Sequence, residues 1–158
     1  MTTALPDYLA PELRAVFVGT AAGDRSARRG RYYAGPGNEF WLLLHRAGLT
    51  PEFLGPERDT EVLRYGLGLT DLAKRRSAST DTLLSSSDFD VPGFVRKVER
   101  YRPAWIAFHG KTAAKEYLRG SGDRRRTVAL GKQDWQVQET PVFVLPSASG
   151  SKSRSISP

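Results

Sequence analysis

The 158-residue sequence contains no cysteine and only two histidines. Without cysteine the chain can form no disulfide, no thiolate zinc site and no cysteine-held iron–sulfur cluster. Two histidines also leave few nitrogen ligands for a metal ion. We therefore expect a functional site that works without a metal and without any other cofactor.

Long hydrophobic runs are missing as well. The longest apolar runs are too short to span a bilayer, and residues 1–6 lack the basic and apolar regions of a signal peptide. We therefore expect a cytoplasmic protein with no membrane partner. The length and a hydrophobic content of 39% are typical of one globular domain, here predicted to span residues 1–158.

Acidic residues are fewer than basic ones, since 17 Asp and Glu stand against 24 Lys and Arg, which gives a net charge of +7. Such a surface either serves only solubility or attracts polyanions, and composition alone does not decide between the two. Clustering of the basic residues favours a polyanion such as nucleic acid. The clusters are Arg25, Arg28, Arg29 and Arg31; Lys74, Arg75 and Arg76; Arg124, Arg125 and Arg126; and Lys152 with Arg154.

The densest pattern in the chain is the segment 30–41, in which two tyrosines precede a Gly-Pro-Gly turn and an apolar run. The glycines and the proline exclude a helix or a strand interior at the turn. We predict a helix over 38–48, with Asn38 as its N-cap. Tyr32 and Tyr33 are either plain core aromatics or a platform on which a base stacks, and the flanking glycines and arginines favour the platform.

Apolar runs and helical patterns alternate along the chain, which predicts a three-layer α/β/α sandwich around a central, mainly parallel four-stranded sheet. We predict core strands at 14–18, 65–69, 103–109 and 141–146, an edge strand at 135–137, helices at 7–13, 38–48, 72–74, 92–100 and 110–120, and a mobile surface loop at 77–90. The loops after the first, second and last core strands should then converge on one edge of the sheet.

The residues 19–23 after the first strand read as a tight turn that lets a ligand approach the backbone. They lack the Gly-Lys-Ser/Thr of a phosphate loop and the glycine spacing of a dinucleotide fingerprint. A hydrolase triad has little support, because Gly-x-Ser-x-Gly is absent. His109, at the end of the third strand, is expected to be a hydrogen-bonded core imidazole.

The motifs occur in a distinctive order along the chain. A strand and a Gly-x-x-x-Gly turn come first, and Tyr-x-Gly-Pro-Gly-Asn-x-Phe-Trp, Gly-Leu-Thr-Asp-Leu, a strand followed by Gly-Lys, and Val-Leu-Pro-x-x-Ser-Gly come after them. From about residue 17 to 154 this order resembles the mismatch-specific uracil/thymine DNA glycosylases of the uracil-DNA glycosylase superfamily. The resemblance implies a parallel sheet between helices and a monofunctional enzyme of base excision repair. Such an enzyme flips uracil, or thymine or another damaged base in a mismatch, out of double-stranded DNA and hydrolyses its N-glycosidic bond.

The resemblance also implies roles for individual residues. Tyr33 matches the aromatic residue that stacks on the flipped base, and backbone groups around Thr20 and Tyr33 would bind the base edge. We expect the protein to act as a monomer. The last loop would press on the minor groove and the phosphates of the DNA. Ser149 and Gly150 match this loop. Relatives usually carry a polar amide or imidazole where Ser147 stands and an apolar wedge where this chain has Ser151 and Lys152. With the basic Arg154, these residues complete the set that we expect to bind DNA: Ser147, Ser149, Gly150, Ser151, Lys152 and Arg154.

Ala21 is the main departure from the family pattern. Most relatives carry an Asn at this place to position the attacking water, and alanine cannot hold a water. We therefore expect Asp71, after the second strand, to act as general base or to steady the cationic sugar at the edge of the base pocket. Its alternative role is that of a helix N-cap.

Asp24 is the second catalytic candidate, because it follows the turn directly. Its alternative role is an ion pair with one of the neighbouring arginines. If no carboxylate replaces the missing Asn, the chain would instead be a non-catalytic protein that recognises damaged bases or DNA without cutting.

Overall fold

The structure is a computed structural model that describes residues 4–75, 77 and 84–148. Its strands are β1 (Ala15–Ala21), β2 (Leu67–Ala73), β3 (Ile106–His109), β4 (Gly131–Val137) and β5 (Thr140–Leu145). They form one sheet in the order β2-β1-β3-β5-β4, in which only β4 runs antiparallel to its neighbour. The predicted α/β class and mainly parallel sheet are confirmed. The sheet has five strands and not four, because the predicted edge strand at 135–137 is part of the longer β4, which pairs with β5.

Helices lie on the two sides of this sheet. They are α1 (Asp24–Arg29), α2 (Phe40–Arg46), α3 (Val91–Tyr101) and α4 (Lys111–Gly120), with 3₁₀ helices at Pro56–Tyr65 and Ser86–Asp88. Asn38 precedes α2, and its side-chain oxygen accepts a hydrogen bond from the Phe40 amide at 2.9 Å. Among the residues described, no helix is long and apolar enough to cross a bilayer.

Several local predictions fail near the amino terminus and at β2. Residues 7–13 form no helix, because Tyr8 pairs with Leu69 in an antiparallel bridge that covers the outer edge of β2. With both edges paired, β2 continues through Asp71 as a strand, so Asp71 is not a helix N-cap. The expected turn at 19–23 begins as strand, and α1 replaces the expected basic loop after it.

Residues 78–83 of the predicted surface loop at 77–90 lie outside the described residues. Its described part contains the short 3₁₀ helix at Ser86–Asp88 and residue 90, whose carboxylate caps α3 by accepting from the Gly93 amide at 3.0 Å.

Strand alternation divides the apolar side chains between two cores, one on each face of the sheet. The first core lies under α3 and α4, and it includes Phe94 and Tyr117 of these helices with Phe108 of β3 and Trp135 of β4. The second core lies under α2 and the aromatic loop, the name used here for residues 30–37, and includes Phe17, Tyr32, Phe40, Trp41 and Leu69. The sheet therefore presents one face to the aromatic loop, and the candidate site is on that face.

Candidate active site

Three neighbouring strands bring Gly19, Asp71 and His109 to the same edge of the sheet. Gly19 on β1 pairs in register with Asp71 on β2, and His109 is the last residue of β3. Each lies two residues after a member of the second core, so the strand alternation turns all three towards the aromatic loop. Ligands of parallel α/β sheets bind at this end of the strands.

Gly19 leaves room for the carboxyl group of Asp71. A Cβ atom at position 19 would lie 2.6 Å from Asp71 Oδ1 and 3.6 Å from the Tyr33 hydroxyl. The first distance is shorter than a van der Waals contact, so the carboxyl occupies space that only glycine leaves empty. The carboxyl and the phenol therefore both reach the backbone of Gly19.

Asp71 is the most unusual ionisable group of this edge. It is 4% exposed, and its Oδ2 atom has no hydrogen-bond partner among the described residues. Burial raises the pKa of Asp71 to about 6, although Lys74 acts in the opposite direction. The Lys74 ammonium lies 4.0 Å from Oδ2. At pH 7 such a carboxyl is mostly ionised and is a stronger base than an ordinary aspartate.

Lys74 is held beside Asp71 by Asp7, which sequence reasoning missed. Asp7 pairs with Lys74 at 3.1 Å and with Lys97 at 2.6 Å, and it accepts a hydrogen bond from the Thr70 hydroxyl at 2.6 Å. Burial acts to raise the pKa of Asp7, but the two lysines and Thr70 together hold it below the usual value. An ionised Asp7 thus fixes the cation that faces Asp71.

Tyr33 combines strain, stacking and an unsatisfied hydroxyl. Its φ angle of 52° lies in the left-handed region, which bulky residues rarely adopt and which is typical of functional sites. The ring is half-buried and stacks on Phe40 at a centroid distance of 4.1 Å, with His109 at its edge. Because Phe40 covers one face of the phenol, a planar ligand would have to use the other face.

The Tyr33 hydroxyl and Asp71 Oδ2 are buried side-chain atoms without a hydrogen-bond partner in the part of the chain that is described. Burial raises the pKa of Tyr33 well above its usual value, and the negative charge of Asp71 adds to the effect. The phenol therefore stays protonated at neutral pH. Buried polar atoms normally have partners, so a neutral donor and an anionic acceptor at one edge indicate a binding site for a polar group.

Tyr32 has a different role from its neighbour. It is 1% exposed, its hydroxyl donates to the Pro6 carbonyl at 2.7 Å, and its amide donates to the fully buried Asp59 at 2.9 Å. Asp59 also pairs with Arg31 at 3.0 Å. The interpretation of Tyr32 as a stacking platform is therefore wrong, because Tyr32 is a core anchor that holds the aromatic loop.

His109 connects the aromatic loop to the loop after β5. Burial lowers the pKa of His109 to about 4, so the imidazole is neutral at pH 7. Its Nε2 accepts a hydrogen bond from the Ala148 amide at 3.0 Å, which confirms the expected hydrogen-bonded imidazole. The Ala148 carbonyl in turn accepts from the Glu39 amide at 3.0 Å. The start of the last loop, including Ser147, is thereby tied to the site edge.

The other predicted site residues lie around this edge. Thr20 and Ala21 end β1, and Ala21 pairs in register with Ala73. Asp24 begins α1 and accepts a hydrogen bond from the Ser77 hydroxyl at 2.9 Å, so it already has a partner and no arginine pairs with it among the described residues. Five predicted DNA-binding residues lie outside the described residues: Ser149, Gly150, Ser151, Lys152 and Arg154.

Metal ligands do not come together in the described ranges, where no three His, Asp or Glu side chains form a cluster that could hold an ion. What the site offers instead is one buried carboxylate, one neutral phenol and one strained aromatic loop at the strand ends. Together they define an α/β domain with a candidate ligand site at the carboxyl edge of its sheet.

Comparison with known proteins identifies the family. The family model of the uracil DNA glycosylase superfamily matches residues 6–155, and the chain therefore belongs to that superfamily. The structure is also similar to the solution NMR structure of a candidate uracil DNA glycosylase from Methanosarcina acetivorans, with a TM-score of 0.63 and 27% identity. The match covers 99% of this chain and 89% of the other. The family resemblance seen in the sequence is confirmed at the level of the superfamily. Membership of this superfamily implies a glycosylase that acts on DNA.

Proposed function

We propose that this chain is a monofunctional glycosylase that flips uracil out of double-stranded DNA and hydrolyses its N-glycosidic bond. Thymine or other damaged bases in mismatches are proposed as further substrates. The observation that carries the proposal is the buried Asp71 carboxylate, with its free Oδ2 atom, beside the neutral Tyr33 phenol at the strand ends. Membership of the superfamily supports the reaction class.

In this proposal Asp71 takes over the role of the Asn that most relatives carry where this chain has Ala21. Breaking the bond between C1′ and the base nitrogen leaves positive charge on the sugar and negative charge on the base. A carboxylate at this edge accepts the proton of the attacking water or stabilises the sugar cation. Its raised pKa of about 6 suits a general base at neutral pH, because base strength rises with pKa while most of the group stays ionised.

Tyr33 supplies the platform for the flipped base. Stacking on Phe40 fixes the plane of the phenol, so the ring needs no reordering when a base arrives. Base-to-ring stacking of this kind contributes about 1–3 kcal/mol per base. The proposed base pocket consists of Thr20, Ala21, Tyr33 and Asp71. Ser147 would contact the phosphates from the last loop.

We also propose that the protein is a monomer and acts on DNA at the nucleoid, in the cytoplasm. The proposed location follows only from the proposed substrate, uracil in chromosomal DNA.

A panel of duplex oligonucleotides tests the proposal. Protein from a host without its own uracil excision enzymes is incubated with G·U, A·U, G·T and undamaged duplexes and with single-stranded uracil DNA, and the products are treated with alkali and separated on a gel. We expect strand breaks in the uracil duplexes and none in the undamaged one. Binding to uracil duplexes without any strand break would instead establish the non-catalytic alternative.

Replacing Gly19 by alanine should lower the rate of uracil excision by roughly 10- to 100-fold, because the new methyl group displaces the Asp71 carboxyl. Gly23→Ala is the matched control, since Gly23 has an ordinary φ of −64° and a Cβ there meets nothing within 4 Å. Single-turnover rates of the two variants are compared with wild type. Equal rates for Gly19→Ala and Gly23→Ala would show that the carboxyl position does not matter.

A further inference from the structure

A second charged feature lies away from the candidate active site. It is a cleft of about 470 Å³ formed by the C-terminal half of α4 and the loop that leads to β4. Its charged lining residues are Lys115, Arg119, Asp123, Arg124, Arg125 and Arg126. We call this feature the basic cleft, and the function proposed above makes no use of it.

The basic cleft faces the opposite edge of the sheet from Asp71. α4 begins directly after β3, at the carboxyl edge of the sheet, and runs back for ten residues, or roughly 15 Å. The cleft lies at the far end of this helix. A ligand bound there would therefore not occupy the base pocket, and both places can be filled at the same time.

Ion pairs within the protein neutralise only part of the cleft. Arg126 pairs with Asp123 at 3.0 Å and with Asp134 at 3.3 Å, and Arg119 lies 3.8 Å from Glu116. The exposed side chains of Lys115, Arg124 and Arg125 have no ion-pair partner in the part of the chain that is described. Three uncompensated cations around one concave surface create a positive potential that attracts an anion with several charges.

The backbone of the cleft is fixed before any ligand binds. Leu118 and Val128 anchor the two sides in the first core, at 5% and 8% exposure. The Asp123 amide donates to the Leu118 carbonyl at 2.8 Å, and the Asp123 carboxylate accepts from the amides of Arg125 and Arg126 at 3.3 and 3.1 Å. A turn held in this way lowers the entropic cost of presenting its arginines to a ligand.

We propose that the basic cleft binds the phosphodiester backbone of a second nucleic-acid segment, separate from the segment in the active site. Guanidinium groups suit phosphate oxygens because they can donate two parallel hydrogen bonds. The lining contains no aromatic ring on which a base could stack, so the contact is independent of sequence. A second contact of this kind keeps the protein attached to DNA while the active site engages another segment.

The test compares Arg124→Ala/Arg125→Ala with wild type by fluorescence anisotropy on a labelled, uracil-free 12-base DNA at several salt concentrations. We expect the double variant to bind roughly tenfold more weakly at low salt, with a salt slope smaller by one to two. Arg46→Ala/Arg96→Ala is the matched control, because it removes the same charge from exposed positions on α2 and α3 that have no ion-pair partner among the described residues. The control should bind like wild type.

Three results would overturn the proposal: equal binding by wild type and Arg124→Ala/Arg125→Ala, an equal loss in the control variant, or equally tight binding of polyglutamate of the same charge. Changes in amide NMR chemical shifts on adding the DNA locate its binding site. The amides of residues 118–128 should shift in wild type but not in the double variant. Because binding is measured on undamaged DNA, a failure here is separate from a failure to excise uracil. Single-turnover excision on a short uracil duplex should be unchanged in the double variant.

Discussion

Asp71→Asn should lower the single-turnover rate of uracil excision by roughly 10²- to 10⁴-fold, the usual contribution of a general base. Asparagine keeps the size of the side chain but can neither accept a proton nor offset the charge of the sugar cation. The variant should still bind a uracil duplex with nearly the affinity of wild type, since Tyr33 and the backbone groups of the pocket are unchanged. The rate is measured on a labelled G·U duplex with enzyme in excess.

Asp24→Asn is the control for this experiment, because it makes the same chemical change at the other candidate carboxylate. Asp24 already accepts a hydrogen bond from Ser77, so we expect its variant to stay within a few-fold of the wild-type rate. Equal cutting by wild type and Asp71→Asn, with a large loss in Asp24→Asn, would move the catalytic role to Asp24.

Asp71→Asn should also make the folded protein more stable at pH 7, by up to about 3 kcal/mol. This corresponds to a rise in Tm of roughly 6–12 °C for a chain of this size. Burial raises the folded-state pKa of Asp71 from 3.8 to about 6. The folded state therefore holds this proton more tightly than the unfolded chain. Stability from the group is fully present below pH 3.8 and is lost as the pH rises through 6.

Urea unfolding at pH 4 and pH 7 measures this effect. Wild type should lose stability relative to Asp71→Asn as the pH rises, and the two proteins should differ little at pH 4, where Asp71 is largely neutral. Asp24→Asn should change stability by less than about 1 kcal/mol at either pH, because asparagine keeps the size of this half-buried side chain and its oxygen can still accept the hydrogen bond from Ser77. A less stable Asp71→Asn at pH 7 would mean that the carboxylate supports the fold.

If Asp71→Asn is more stable but less active than wild type, the buried charge of Asp71 serves the reaction and not the stability of the fold. The Oδ2 atom of Asp71, which accepts no hydrogen bond from the described residues, and the glycine beside it point the same way, since neither improves packing. Functional sites commonly carry such a cost in stability. In this protein the loss of stability comes from one side chain, Asp71, and asparagine can replace it with nearly the same shape.

Sequence patterns predicted the layers of the fold because each core strand is a short apolar run next to a helix or a turn. They failed at β2, where Tyr8 bridges to Leu69 across the chain and extends the strand through Asp71. No local signal reports such a pairing. Consequently Asp71 lies within β2, whereas the sequence predicted that it follows the strand, and its alternative as a helix cap was wrong.

The aromatic loop shows a second limit of sequence reasoning. Tyr32 and Tyr33 are adjacent and have nearly the same surroundings in sequence, yet one is a core anchor and the other reaches the site. What separates them is the buried Asp59, which binds the Tyr32 amide from 27 positions away in the chain. Asp7 was missed for the same reason, because only the folded chain brings it to Lys74.

The pH dependence of kcat/KM for uracil excision tests the central claim most directly, because this quantity reports the ionisation of the free enzyme. With Asp71 as the base, kcat/KM should rise about tenfold per pH unit up to about pH 6, the pKa of Asp71, and then level off. The residual activity of Asp71→Asn should lack this rise. A wild-type profile that stays flat between pH 4.5 and 7, or a rise that persists unchanged in Asp71→Asn, would contradict the account.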